Sequence, residues 1–387
     1  MALLVRPVTI TATELTSSNA SESVSAYSAT TQYATGDQVY DATTMRIYEA
    51  VAGGTTHTFV AGDVDTGNDV ITWTAHGIAD DTPIIFRGSS LPSPLTAGTT
   101  YYKRPGLSAD NFKVSTTSGG SAVNLTTTGS GTMTFQLTTE NYGRAVTNVS
   151  YWLDIGPMNK WAMFDTYNTT QTSRASNIEV QIAPGTRVDT VALLNLSGAS
   201  SVRIQANNGS TYYDQTFSLT ETAFADDWYA GTYSETHYKN RFAVSNITPN
   251  SGTTLTITIS GSGTVYCGSC IVGLSKEIGG AEYGAEVGID DYSLIERDDY
   301  GTLTITQRDY NDRGDFSLFV PKEKNAAILS LITGYRATPA LWLMVPDDTV
   351  VGDWDGPGII YGIPTSFKSL IREPSHVWYN LELTGLT

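Results

Sequence analysis

Histidine, cysteine and positive charge are all scarce in this chain. Four His stand among 387 residues, none paired at metal-ligand spacing, and there is neither a glycine-rich phosphate loop nor a Gly-x-Ser-x-Gly elbow. No cofactor or metal is therefore expected, and no catalytic residue either. Lys and Arg number 22 against 39 Asp and Glu, a net charge of −17, and no basic run interrupts the excess. Phosphate contacts need a basic surface, so nucleic acid is excluded as a partner, while neutral sugars and other proteins remain. No uninterrupted apolar run is long enough to span a bilayer. Residues 1–10 are apolar only briefly, with no charged start or small-residue cleavage site, so synthesis in the cytoplasm without a signal peptide is expected.

The two cysteines sit together as Cys267-Gly-Ser-Cys270. A zinc site needs two further ligands, and a redox pair needs a strand-to-helix turn. The surrounding Thr264-Val-Tyr and Ile271-Val read instead as a β-strand, so two buried structural thiols are expected. Asp63, Asp65 and Asp69 offer clustered oxygens, but no Glu follows at the twelfth position of a calcium loop, and the segment reads as a solvated hairpin turn.

What is abundant points to strands. Threonine outnumbers Lys and Arg combined, there are 22 Tyr, and only 16% of residues are charged. The chain is too long for one core. The pattern predicts a mainly β, multidomain protein. Residues 1–28 form an N-terminal strand and linker, of the kind that pairs with another chain or a distant sheet edge. Residues 29–57 and 138–155 form a small aromatic β module split by an insertion, and residues 58–137 are an inserted β-sandwich. Residues 156–280 form a jelly-roll-like β-sandwich, in which Thr254-Leu-Thr-Ile-Thr-Ile259 alternates perfectly. Residues 281–387 form a small α+β domain with one amphipathic helix, Lys322 to Gly334, ended by glycine.

Two resemblances rest on these residues. Tyr33-Ala-Thr-Gly-Asp-Gln-Val-Tyr40, Ile47-Tyr-Glu-Ala50 and Trp152 together resemble the small chitin- and cellulose-binding module family. The chain more broadly resembles bacteriophage tail proteins of the tail-tip or baseplate region. That likeness is carried by the Trp152 to Asp165 stretch with its Ile-Gly-Pro and Trp-Ala-Met-Phe-Asp, by Tyr283-Gly-Ala-Glu-Val-Gly-Ile-Asp-Asp-Tyr-Ser293 and by Arg308-Asp-Tyr310. It implies a structural virion protein in the tail, repeated as a homo-oligomeric ring of three or six copies beside other tail proteins, with room for contact to host cell-surface glycan. It carries over no catalytic residue.

Tyr33, Tyr40, Tyr48 and Trp152 are the candidate carbohydrate platform, because flat apolar ring faces stack on the C–H side of a pyranose. The same rings are the obvious core of a domain with little else to bury, and core is the favoured reading. Asp226, Asp227, Trp228 and Tyr229 suit a loop that touches a ligand or neighbour. Two rival functions follow: a carbohydrate-binding receptor-recognition protein, and a glycan depolymerase working through Asp226 and Asp227, whose adjacency disfavours the facing geometry that glycosidases need.

Overall fold

The computed structural model describes residues 1–29, 31, 33–51, 56–137, 144–221, 237–297, 300–344, 353–356, 358–371 and 373–386. Strand accounts for 52% of it and helix for 6%, which is the mainly β, multi-sheet architecture that the Thr- and Tyr-rich composition predicts. The chain divides into two compact units, residues 22–158 and residues 1–21 with 159–387.

The unit 22–158 holds two sheets. In the four-stranded one, Trp152–Pro157 pairs with Arg46–Ala50, which pairs with Gln38–Asp41, and Ser25–Ala26 adds in parallel. Trp152 lies opposite Ala50 and Asp154 opposite Tyr48, so strands about a hundred residues apart in sequence are direct neighbours. The chain between them forms a seven-stranded sheet running from Val64–Asp65 at one edge to Thr56–Phe59 at the other. Alternate residues of that sheet supply its core: Phe59, Ile71, Ile84, Phe86, Phe112 and Phe135 are all buried. Ile85, between two of them, is buried as well, so Pro83–Arg87 is covered on both faces. Asp63, Asp65 and Asp69 each accept hydrogen bonds from other protein groups. Asp63 accepts from Val60 N, Asp65 from Gly67 N and Asn68, and Asp69 from Leu125 N.

The other unit is organised by one strand of 28 residues, Thr254–Ala281. Along its length it pairs antiparallel with Thr172–Ile182, Ser201–Asn207, Thr190–Ser197, Ala2–Pro7 and finally Tyr310–Pro321. The sheet then continues from Ala2–Pro7 through Ala340–Met344, Ile359–Leu370 and His376–Gly385 to Tyr310–Pro321 and Glu286–Asp291. The regions read from sequence as a central sandwich and a separate C-terminal domain thus share one hydrogen-bonded sheet. The helix, Asn325–Gly334, packs Ile328 and Ile332 onto it beside Trp342 and Tyr379.

Of the two partners expected for the first strand, another chain or a distant sheet edge, the structure supplies distant strands of the same chain, and on both sides: it sits between Thr254–Ala281 and Ala340–Met344. Leu3 and Val5 enter one core while Ala2 and Leu4 enter the opposite one. Burial on both faces explains its unbroken apolar run, which an edge strand with one wet face would not have.

Candidate functional site

The four rings proposed as a platform do not share an exposed face. Tyr33, Tyr48 and Trp152 are buried together with Val39, Ala50 and Val146. Trp152 is 1% exposed; its ring meets Tyr33 edge-on at 5.2 Å and Tyr27 at 5.6 Å between centroids. Its Nε1 donates to the Arg144 carbonyl at 3.2 Å, which also accepts the Tyr27 hydroxyl at 2.7 Å. Burial raises the Tyr27 phenol above its ordinary value, with Tyr33 and Asp41 adding to the shift. Register places Tyr40 elsewhere. Val39 lies opposite Tyr48, so the next residue, Tyr40, points to the other face and is only half-buried. Aromatics are the main apolar material in this thin module, and its folding uses them up.

Asp226, Asp227, Trp228 and Tyr229 lie outside the described residues. Cys267 and Cys270 fall in the long strand, both buried and both free. Burial pushes the Cys267 thiol well above its ordinary value and that of Cys270 up to about 12, so neither is a ready nucleophile or metal ligand. Among the described residues no cluster of three or more His, Cys, Asp or Glu could hold a metal ion.

The surface feature that stands out is a two-stranded arm. Glu286–Asp291 and Leu294–Arg297 run out, and Leu303–Thr306 and the start of Tyr310–Pro321 run back. Register runs from Glu286↔Asp315 to Arg297↔Leu303, and the return strand's bonding to its other neighbour begins only at Arg313↔Thr384. The arm therefore extends beyond the sheet for about nine residues, roughly 30 Å. Every described residue of Leu294–Arg297 and Leu303–Thr306 is exposed.

Its faces differ in chemistry. Ile295 lies opposite Ile305 and Arg297 opposite Leu303, so these four side chains share one face, while Glu296, Thr304 and Thr306 share the other with Leu294. Ile295 is 65% exposed, Ile305 63% and Leu303 48%. Two-stranded hairpins are marginal in water, and alternation of this kind normally marks a strand with one buried face. Here nothing in the described chain covers that face. The alternation of residues 302–307 marks a strand in the sequence; only the pairing shows that it leaves the body.

No family model matches the chain, and neither the curated proteins nor the solved structures contain a match to it.

Proposed function

We propose that this chain is a structural subunit of a bacteriophage tail, in its tip or baseplate region, which builds a homo-oligomeric ring through the arm 286–315. The observation that carries the assembly reading is the amphipathic arm, whose Ile295, Leu303 and Ile305 face solvent. Fully burying one such side chain contributes about 1.5–3 kcal/mol. Covering three that are already partly shielded gives about 3–6 kcal/mol per arm. An arm contacting a different surface of the next copy is a heterologous contact, and such contacts make a ring when the rotation between copies closes. The tail assignment rests on the sequence resemblance, with the mainly β architecture and a net charge of −17 beside it.

Light scattering coupled to size exclusion tests the assembly. The wild-type chain is expected as a discrete trimer or hexamer, and Ile295→Asp with Ile305→Asp as a monomer with an unchanged circular dichroism spectrum. A wild-type monomer at every concentration tried would end the ring reading. Antibody labelling of intact particles tests the location, with label expected at the distal end of the tail.

A further inference from the structure

We infer that the polar cavity at the root of the arm binds a neutral sugar ring. The cavity encloses about 170 Å³ where Thr190–Ser197 meets the arm's return strand. This inference does not depend on the assembly reading: the cavity lies at the base of the arm and uses none of Ile295, Leu303 and Ile305, the apolar side chains that carry that reading.

The inner wall is fixed. Arg241 and Asp312 form a fork with two bonds of 3.1 Å, and Arg241 donates also to the Ile359 carbonyl at 3.1 Å. Their side chains are only 17% and 18% exposed. A bidentate pair held this way keeps its remaining N–H groups and lone pairs in set directions.

The floor is fixed too. Asn195 adopts φ +51, a left-handed conformation that non-glycine residues rarely take. Its Nδ2 donates to the Asn168 carbonyl at 2.6 Å, and its own carbonyl accepts Gln171 Nε2 at 2.9 Å. Beneath lies Gly268, where a Cβ would stand 2.5 Å from the Asn168 carbonyl oxygen and 2.7 Å from Asn195 Cβ. The glycine between the two cysteines is thus the residue that lets this floor close over the long strand.

At the rim, the side chains of Asn240, Gln307 and Arg308 are exposed and make no hydrogen bond to the described residues, and Tyr310 is 48% exposed. The formal charges of the lining balance, with two guanidinium groups, Arg241 and Arg308, and two carboxylates, Asp309 and Asp312. An anion would meet two carboxylates and a chain of net charge −17, and a cation would meet two guanidinium groups. Sugar hydroxyls both donate and accept, as amides do and as an Arg–Asp pair does jointly, and the Tyr310 ring offers a flat face for the C–H side. Small-molecule sites fix orientation through a few convergent polar groups.

Ligand-observed saturation-transfer NMR on the full chain tests the inference, using the methyl glycosides of glucose, galactose, mannose and N-acetylglucosamine at millimolar concentration. At least one is expected to receive saturation, strongest on its ring C–H protons. Asn240→Ala and Arg308→Ala should each weaken that sugar about tenfold, with thermal melts unchanged because both residues are exposed. Ile295→Asp with Ile305→Asp should bind as wild type, which separates this site from the assembly contact. A neutral oligomer of the responding sugar that binds more tightly than its glycoside identifies a surface glycan as the source; equal binding identifies the free sugar. Absence of saturation for all four glycosides, or saturation that neither alanine variant reduces, would overturn the inference.

Discussion

Replacing Trp152 by alanine separates a structural ring from a ligand platform. The indole is 1% exposed and wedged edge-on against Tyr33 and Tyr27, so its removal leaves a cavity in a cluster of only six buried side chains. Truncating a buried Trp costs about 3–5 kcal/mol. Little of that is hydrogen bonding: the Arg144 carbonyl that accepts Nε1 keeps its bond from the Tyr27 hydroxyl and is not orphaned. Trp152→Phe restores part of the ring contact and should lose less than the alanine variant. Tyr40→Ala, half-buried on the opposite face, should stay within about 1 kcal/mol. Hydrogen exchange by mass spectrometry is the assay of choice, because it reads each sheet separately and does not assume two-state unfolding of the whole chain. At 1.4 kcal/mol per factor of ten, the amides of Arg46–Ala50 and Trp152–Pro157 should exchange roughly a hundred- to a few-thousand-fold faster in Trp152→Ala. The seven-stranded sheet, which has its own core, should change less. If Trp152→Ala and Tyr40→Ala have equally small effects on exchange, the ring is not the module's keystone and the core reading fails.

Two further predictions concern buried polar groups. Arg241→Leu should destabilise the chain by about 3 kcal/mol, the low end for breaking a buried ion pair, because it strands the Asp312 carboxylate while both positions keep some solvent contact. Adding Asp312→Leu should recover much of the loss in a chemical-denaturation series, and a double variant weaker than the single one would contradict this account. The buried thiols give a pH dependence. A folded pKa raised above the unfolded value means that stability is fully present below the unfolded pKa and lost as pH rises toward the folded one. For Cys270 the window runs from about 9 to about 12, with a slope near 1.4 kcal/mol per pH unit. Cys270→Ala should flatten the stability curve there, and an unchanged slope would show that the thiol does not ionise on unfolding.

Much of the architecture is legible in the sequence where burial is one-sided. Thr254 to Ile259 and Asn177 to Ile182 alternate and pair in register as strands of one sheet. The Lys322 to Gly334 segment is helical over Asn325–Gly334, with Ile328 and Ile332 inward. The first strand was harder, because a run buried on both faces has no period, and its neighbours are some 270 and 340 residues away. The arm was illegible for a different reason. Ile295, Leu303 and Ile305 have the pattern of a core strand, and local pattern does not say whether the covering surface belongs to the same chain. The polar cavity draws on residues 168, 195, 240, 241, 308 and 312, no short window of which carries a motif. Its one local trace was the glycine between the cysteines, which read as part of a thiol motif.

The seat of the first strand also sets a timetable for synthesis. Leu3 and Val5 have partners at Glu277 and Ser275 on one side and at Leu343 and Leu341 on the other. At about 5–20 residues per second, the ribosome needs roughly 17–70 s to pass from the first of these positions to the last. For most of that interval, until Ser275 to Glu277 have been made, the apolar segment 2–5 has no strand to join, whereas the compact unit 22–158 is complete much sooner. A nascent chain of this design holds an apolar strand unpaired while some 270 further residues are added.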